Sequence, residues 1–200
     1  MKLHHTFFAL ALMLVGVSLP AQEPKQQAKP LSAEEQLKLT KPGVEHELLA
    51  RYAGTWEVEV TMGSGAAALT YRGTGENRMT VGGRFLQMEY QAKGKADSTE
   101  GMFTVGFNSR HQRHTLIAMD SFGTYFVMSQ GQRDATSGKI RMLGADDDPM
   151  MKAMGYTKEF VHVLDLRGAD EYAVEVWFVD TRTPARQEFK YMDYTFRRKK

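Results

Sequence analysis

No cysteine occurs among the 200 residues, and that absence closes several routes together. No disulfide can staple the fold, so an exported form of this chain must be held by its core alone. An acylated-cysteine lipoprotein and a thiol nucleophile are excluded as well. Long apolar runs are also missing. The most prominent, Phe7 to Val17, is shorter than the roughly 20 residues a bilayer-spanning helix needs. An excess of charge of one sign is missing too: 26 Lys and Arg stand against 24 Asp and Glu, a net charge of +2. Nothing in that balance calls for a polyanionic partner. The basic tail Arg197-Arg198-Lys199-Lys200 reads as a solvated end, and nucleic-acid binding would need a basic face interleaved with aromatics. Catalytic signatures are absent: there is no G-x-S-x-G elbow and no Walker loop.

What is present begins with the N-terminus. Lys2, the uncharged run Phe7–Val17 and the exit Ser18-Leu19-Pro20-Ala21 form the pattern of a secretory signal peptide over residues 1–21. The chain is therefore expected to be exported, periplasmic or secreted, with no membrane span once the signal is removed. Residues 22–42, rich in Gln, Lys, Pro and Glu, read as a flexible leader. Within it Ser32-Ala33-Glu34-Glu35 makes a capping box for a short helix through Leu39. Residues 43–200 then form one domain.

Val44 to Tyr52 places Val44, Leu48 and Leu49 at helical spacing, and one short amphipathic N-terminal helix is expected there. From Thr55 the period changes to two: Trp56, Val58, Val60 and Met62 on one face, Thr55, Glu57, Glu59 and Thr61 on the other. Further strands are expected over Ala67–Gly73, Gly75–Val81, Arg84–Gln91, Ile140–Leu143, Lys158–Leu166, Tyr172–Val179 and Arg186–Arg197. The stretch Thr99–Gln130 reads as a three-strand meander, Met102–Phe107, His114–Met119 and Thr124–Met128, joined by turns rich in Asn, Ser, Asp and Gly. Gly144–Gly155 reads as the longest loop, with one helical turn. About ten strands joined mostly by short turns, with no helix long enough for a parallel crossover, favour an all-β, up-and-down antiparallel barrel, because closure removes exposed edges.

The order of motifs resembles a known family. It runs Gly54-Thr55-Trp56, Gly83-Arg84-Phe85-Leu86, Tyr90, Gly101-Met102-Phe103, Gly106-Phe107-Asn108, Asp120-Ser121-Phe122-Gly123-Thr124, Gly131 and Tyr194-Thr195-Phe196-Arg197. This series is similar to the DUF1579 family over nearly all of the chain after Glu45. The resemblance implies a lipocalin-like, calycin-type barrel and no established chemistry. Where the family commonly carries an aromatic before the Asp-Ser-x-Gly-Thr stretch, this chain has Met119. Gly54-Thr55-Trp56 also resembles the Gly-x-Trp of lipocalins, which implies that Trp56 packs under Arg197 or Arg198 and plugs one barrel end.

Each candidate for chemistry has a structural alternative. His111 and His114, with Asp120 following, suit a zinc pair only with a third ligand and a buried geometry, and a solvated turn is the favoured reading. His162 lies on a strand with apolar residues on both faces. It would be a haem ligand in a barrel like nitrobindin, whose glycine-rich tryptophan motif is missing, or a hydrogen-bonded wall residue, which is favoured. Asp146-Asp147-Asp148 lacks the alternate spacing of a calcium loop. Arg84 shares strand parity with Leu86, Met88 and Tyr90, which would aim it inward at a ligand carboxylate; the alternative is a turn cap beside Gly82-Gly83. Met150, Met151 and Met154 would cover a barrel mouth or adapt to an apolar ligand.

The reading that follows is a small exported barrel binding a small hydrophobic or amphipathic ligand. Trp56, Val58, Arg84, Met88, Tyr90, Phe103, Asp120, Tyr125, His162 and Tyr172 are the expected ligand-binding residues. No metal, cofactor or nucleic acid is expected. The alternatives are an enzyme using inward Asp120 and His162, and an interaction module with a filled barrel. Apolar residues on both faces of Thr124–Met128 and Phe160–Leu166 would then be covered by a homodimer partner or the N-terminal helix.

Overall fold

The computed structural model describes residues 31–200; the expected signal segment 1–21 and leader residues 22–30 lie outside the described residues. The capping box forms as expected at the head of α1 (Ala33–Lys38). Ser32 Oγ accepts the Glu35 N–H at 3.2 Å, and the Ser32 N–H donates to the Glu35 carboxylate at 2.7 Å. α2 spans Val44–Ala50, but its buried residues are His46 and Leu49, while Val44 is 74% exposed. The helical spacing was legible; of the residues that marked its apolar face Leu49 is buried and Leu48 partly so, with His46 buried in place of Val44.

Alternating side chains shape ten antiparallel strands: β1 (Gly54–Met62), β2 (Leu69–Thr80), β3 (Phe85–Lys93), β4 (Ser98–Asn108), β5 (Arg113–Asp120), β6 (Val127–Arg133), β7 (Ile140–Asp146), β8 (Lys158–Asp165), β9 (Glu171–Val179) and β10 (Glu188–Arg198). Each pairs with its neighbour in sequence, and β1 closes on β10 with Trp56 opposite Arg198 and Val60 opposite Tyr194. Closure leaves no unpaired edge. The interior is filled through most of its length by Trp56, Leu86, Met88, Leu116, Met142, Tyr172, Val174, Tyr194 and Phe196, all 2% exposed or less. Burying each large side chain contributes on the order of 2 kcal/mol, which is how a chain without disulfides holds its shape.

Two strand boundaries differ from expectation. Ala67–Gly73 and Gly75–Val81 are one strand, β2. A Cβ on Gly73 would fall 1.8 Å from the Gln91 carbonyl, so the glycines let β2 press against β3 without leaving the ladder. The third strand of the meander begins at Val127; Thr124–Phe126 belong to the connection before it. The long loop does contain a helical turn, α3 (Pro149–Ala153), capped by Asp148.

One side-chain expectation is corrected. His114 is not in a solvated turn: it is 1% exposed, with Nε2 3.3 Å from the Glu45 carboxylate of α2. Its burial holds its pKa below the usual histidine value, while Glu45 opposes that shift. His111 is exposed, and the two do not converge. The outer apolar face of β8 is covered from within the chain: Val161, Val163 and Val179 cluster with Trp177, whose indole N–H donates to Glu175 at 2.9 Å. Asp146-Asp147-Asp148 is divided among Lys158, Lys152 and the cap of α3. Among the described residues no group of three or more His, Asp or Glu could hold a metal ion.

Candidate functional site

One end of the barrel is sealed. α2 leads into Leu49 and Tyr52, which close over Trp56 at the start of β1. The Trp56 indole N–H donates to the Tyr52 carbonyl at 3.1 Å, and its ring meets Tyr172 edge-on at 4.8 Å. Asn77 donates from Nδ2 to the same carbonyl at 2.8 Å and to the Tyr172 hydroxyl at 2.7 Å. Arg198 lies over the Trp56 ring at 4.3 Å and donates to the carbonyls of Arg51, Ala53 and Ala169. Of the two arginines expected at the plug, Arg198 is the one that forms it. Arg197 points outward to Glu171 at 3.3 Å. Trp56 and Tyr172, expected on a ligand wall, are therefore part of the plug, and burial raises the Tyr172 phenol well above its usual range. Val58 and Met88 fill the barrel above it.

The opposite end is open. Where β1, β5 and β9 finish and β6, β8 and β10 begin, a cavity of about 340 Å³ enters the barrel. Its wall is largely apolar: Met62, Phe103, Val127, Phe160, Val176, Phe178 and Met192. Phe122 and Tyr125, carried on the β5–β6 connection, stand at its entrance. Four of the ten expected residues line it, namely Phe103, Asp120, Tyr125 and His162. Tyr90 is buried behind it, its ring 6.0 Å from that of Phe103, with a hydroxyl that finds no hydrogen-bond partner in the protein. Arg84 is not inward. It lies in the β2–β3 turn, donating to the carbonyls of Val81 and Gly82 and to Thr40 at 2.8 Å, because strand β3 begins one residue later.

The ionisable groups of the cavity are few. His162 is 1% exposed, its Nδ1 2.9 Å from Ser129 Oγ, and burial pushes its pKa down to about 4, so the ring is neutral at ordinary pH. This is the hydrogen-bonded wall histidine favoured from the sequence. Ser129 is buried and does not line the cavity, so the Ser–His pair is not presented to a substrate. Asp120 ends β5, and one carboxylate oxygen accepts the Phe122 N–H at 2.9 Å. Burial raises its pKa, with that backbone bond and the charge of nearby Lys158 acting against the shift. Lys158 Nζ is held by Asp146 at 3.2 Å, Asp148 at 3.4 Å and the Tyr125 hydroxyl at 3.3 Å. Burial disfavours its charge, but the bonds to Tyr125 and Asp146 more than offset this and its pKa is raised.

The expected set omitted Lys158, Phe160, Phe178 and Tyr194. Lys158, Phe160 and His162 do share a strand face, yet Val161 and Val163 make the other face equally apolar, so parity alone does not choose the interior. A second, open trough of about 810 Å³ runs along the outside of β2–β5 beneath Thr124–Phe126. Its lining mixes Glu76, Glu89 and Gln91 with Met102 and Phe126 and shares Asp120 and Tyr125 with the cavity, and Glu89 is already paired to Arg78 at 2.7 Å. The cavity that enters the barrel, walled by Phe103, Phe160 and Phe178, is the better built site.

The barrel has solved relatives in fold. Rv2717c from M. tuberculosis matches 80% of this chain and 100% of its own at 12% identity and a TM-score of 0.52. The S-type phycobiliprotein lyase CPES from Guillardia theta matches 79% of this chain and 94% of its own at 10% identity and a TM-score of 0.51. No curated protein matches in sequence. The sequence profile of DUF1579, described as a protein of unknown function, matches residues 41–198. With that match spanning the whole barrel, the chain belongs to the DUF1579 family.

Proposed function

We propose that this chain is an exported binding protein whose barrel mouth takes up a small hydrophobic or amphipathic molecule. One observation carries the reading: a barrel plugged by Trp56 and Arg198 at one end keeps an apolar cavity of about 340 Å³ open at the other. That volume lies at the small end of the range of ligand pockets, about 300–1,000 Å³. A barrel serving only as a structural or interaction module would be filled at both ends. A phycobiliprotein lyase built on a similar barrel is consistent with a small-molecule role but assigns no ligand here. Export is supported by the Lys2, Phe7–Val17 and Ala21 pattern.

The test is native mass spectrometry of the protein purified from its own host. A reproducible adduct of a few hundred daltons (on the order of what such a cavity holds), lost under denaturing spray, is the expected result. A clean apo mass together with failure to bind any apolar probe would overturn the reading. The same spectra read whether the chain is a monomer or the homodimer weighed from its sequence, and the intact mass shows whether residues 1–21 are removed.

A further inference from the structure

The geometry points to a protonated hydrophobic amine as the occupant of the mouth, with its ammonium on Asp120 and its apolar body among Val127, Phe160 and Phe178. This inference rests on the binding reading above and specifies its ligand class. Three observations support it.

The ammonium already in the mouth is fully engaged. A lysine carries three N–H donors, and those of Lys158 are directed to Asp146, Asp148 and Tyr125. A ligand carboxylate would have to break one of these bonds and then face Asp120, Asp146 and Asp148. Nor can Arg84 compensate, because it lies in the turn at the sealed end.

Asp120 is in the opposite condition. Its one hydrogen bond comes from the Phe122 N–H, and among the described residues no Lys, Arg or His pairs with it. Its carboxylate lines the cavity and is partly withdrawn from water, which disfavours its charge. A cationic donor from a ligand restores the missing partner with a charge-assisted bond.

The neighbouring wall also suits a cation. Phe103 and Tyr194 line the cavity with Asp120, their rings edge-to-face at 4.9 Å. Electron-rich rings near a carboxylate favour an ammonium over an anion.

The test uses three ligands that differ only in the head group: 2-(aminomethyl)naphthalene, 2-naphthalenemethanol and 2-naphthoic acid. Their dissociation constants are measured by calorimetry at neutral pH on the wild-type protein, on Asp120→Asn and on Val127→Trp. The expected order is amine, alcohol, acid, with the amine about tenfold or more tighter than the acid, as one charge-assisted bond allows. Asp120→Asn should remove most of the amine's advantage over the alcohol. An acid that binds as tightly as the amine to the wild type overturns the proposal without any variant. So does an amine preference untouched by Asp120→Asn; in both cases binding in the mouth stands. If none of the three binds, or if the cavity-filling Val127→Trp leaves all three unaffected, the binding reading falls and the amine proposal falls with it.

Discussion

Replacing Arg198 by Met tests how the sealed end is held. Methionine keeps a flexible stem over Trp56 but removes the guanidinium and its donors. The lost contacts are the bonds to the carbonyls of Arg51 at 2.8 Å, Ala53 at 3.2 Å and Ala169 at 2.9 and 3.1 Å, and the stacking at 4.3 Å on Trp56. A buried bond from a charged donor is worth about 1.5–3 kcal/mol. The Arg198 side chain is 29% exposed, however, so water replaces part of each bond. The cation–π contact adds about 0.5–1 kcal/mol. Together these give a loss of about 2–3 kcal/mol, or about 4–12 °C in Tm for a domain of this size. Arg197→Met is the control. Its partner Glu171 lies on the outside and its side chain is 54% exposed, so the expected change is about 0–0.5 kcal/mol. Thermal unfolding followed by near-ultraviolet circular dichroism reports both variants, with Trp56 as a local signal. Equal shifts for the two arginines, or no shift for Arg198→Met, would refute the plug as described.

Three other outcomes follow from the same geometry. Gly144→Ala places a Cβ 2.4 Å from the Phe160 ring and 2.5 Å from the Met128 carbonyl, and should cost about 1–3 kcal/mol in urea unfolding; an unchanged midpoint would show that β7 has room to move. His162 has a pKa near 4 in the fold against 6.5 when unfolded. The unfolded chain binds the extra proton between those values, so stability is full above about pH 6.5 and falls by up to about 3 kcal/mol toward pH 4; His162→Asn should flatten that part of the profile relative to wild type. Asp148→Ala removes the cap that accepts the N–H groups of Met150 and Met151 at 2.9 and 3.1 Å. The expected loss is about 1 kcal/mol, with faster amide exchange at Met150, Met151, Lys152 and Ala153.

Local pattern and tertiary packing divided the work unequally. Period-two alternation of residue types in Thr55–Met62 and Tyr172–Val179, short polar breaks and the lack of a crossover helix were enough to specify an up-and-down barrel, because side chains of any strand point to alternate faces. Burial itself alternates in β1 but not in β9, where Tyr172 to Glu175 are all buried. The Ser32 capping box was equally legible, since its partners lie three residues apart. Direction was legible only where one face was polar. In β8, Phe160, His162 and Leu164 face the interior while Val161 and Val163 sit under Trp177, and no local rule distinguishes the two sets. Tertiary structure alone decided that Arg198 rather than Arg197 caps Trp56, because the register of β10 against β1 sets which arginine faces inward. It also decided that Arg84 leaves the interior and that Lys158 meets Asp146 and Tyr125 at the mouth. Those contacts join residues up to 44 positions apart. A chain's local preferences do not encode such meetings; barrel closure brings them about.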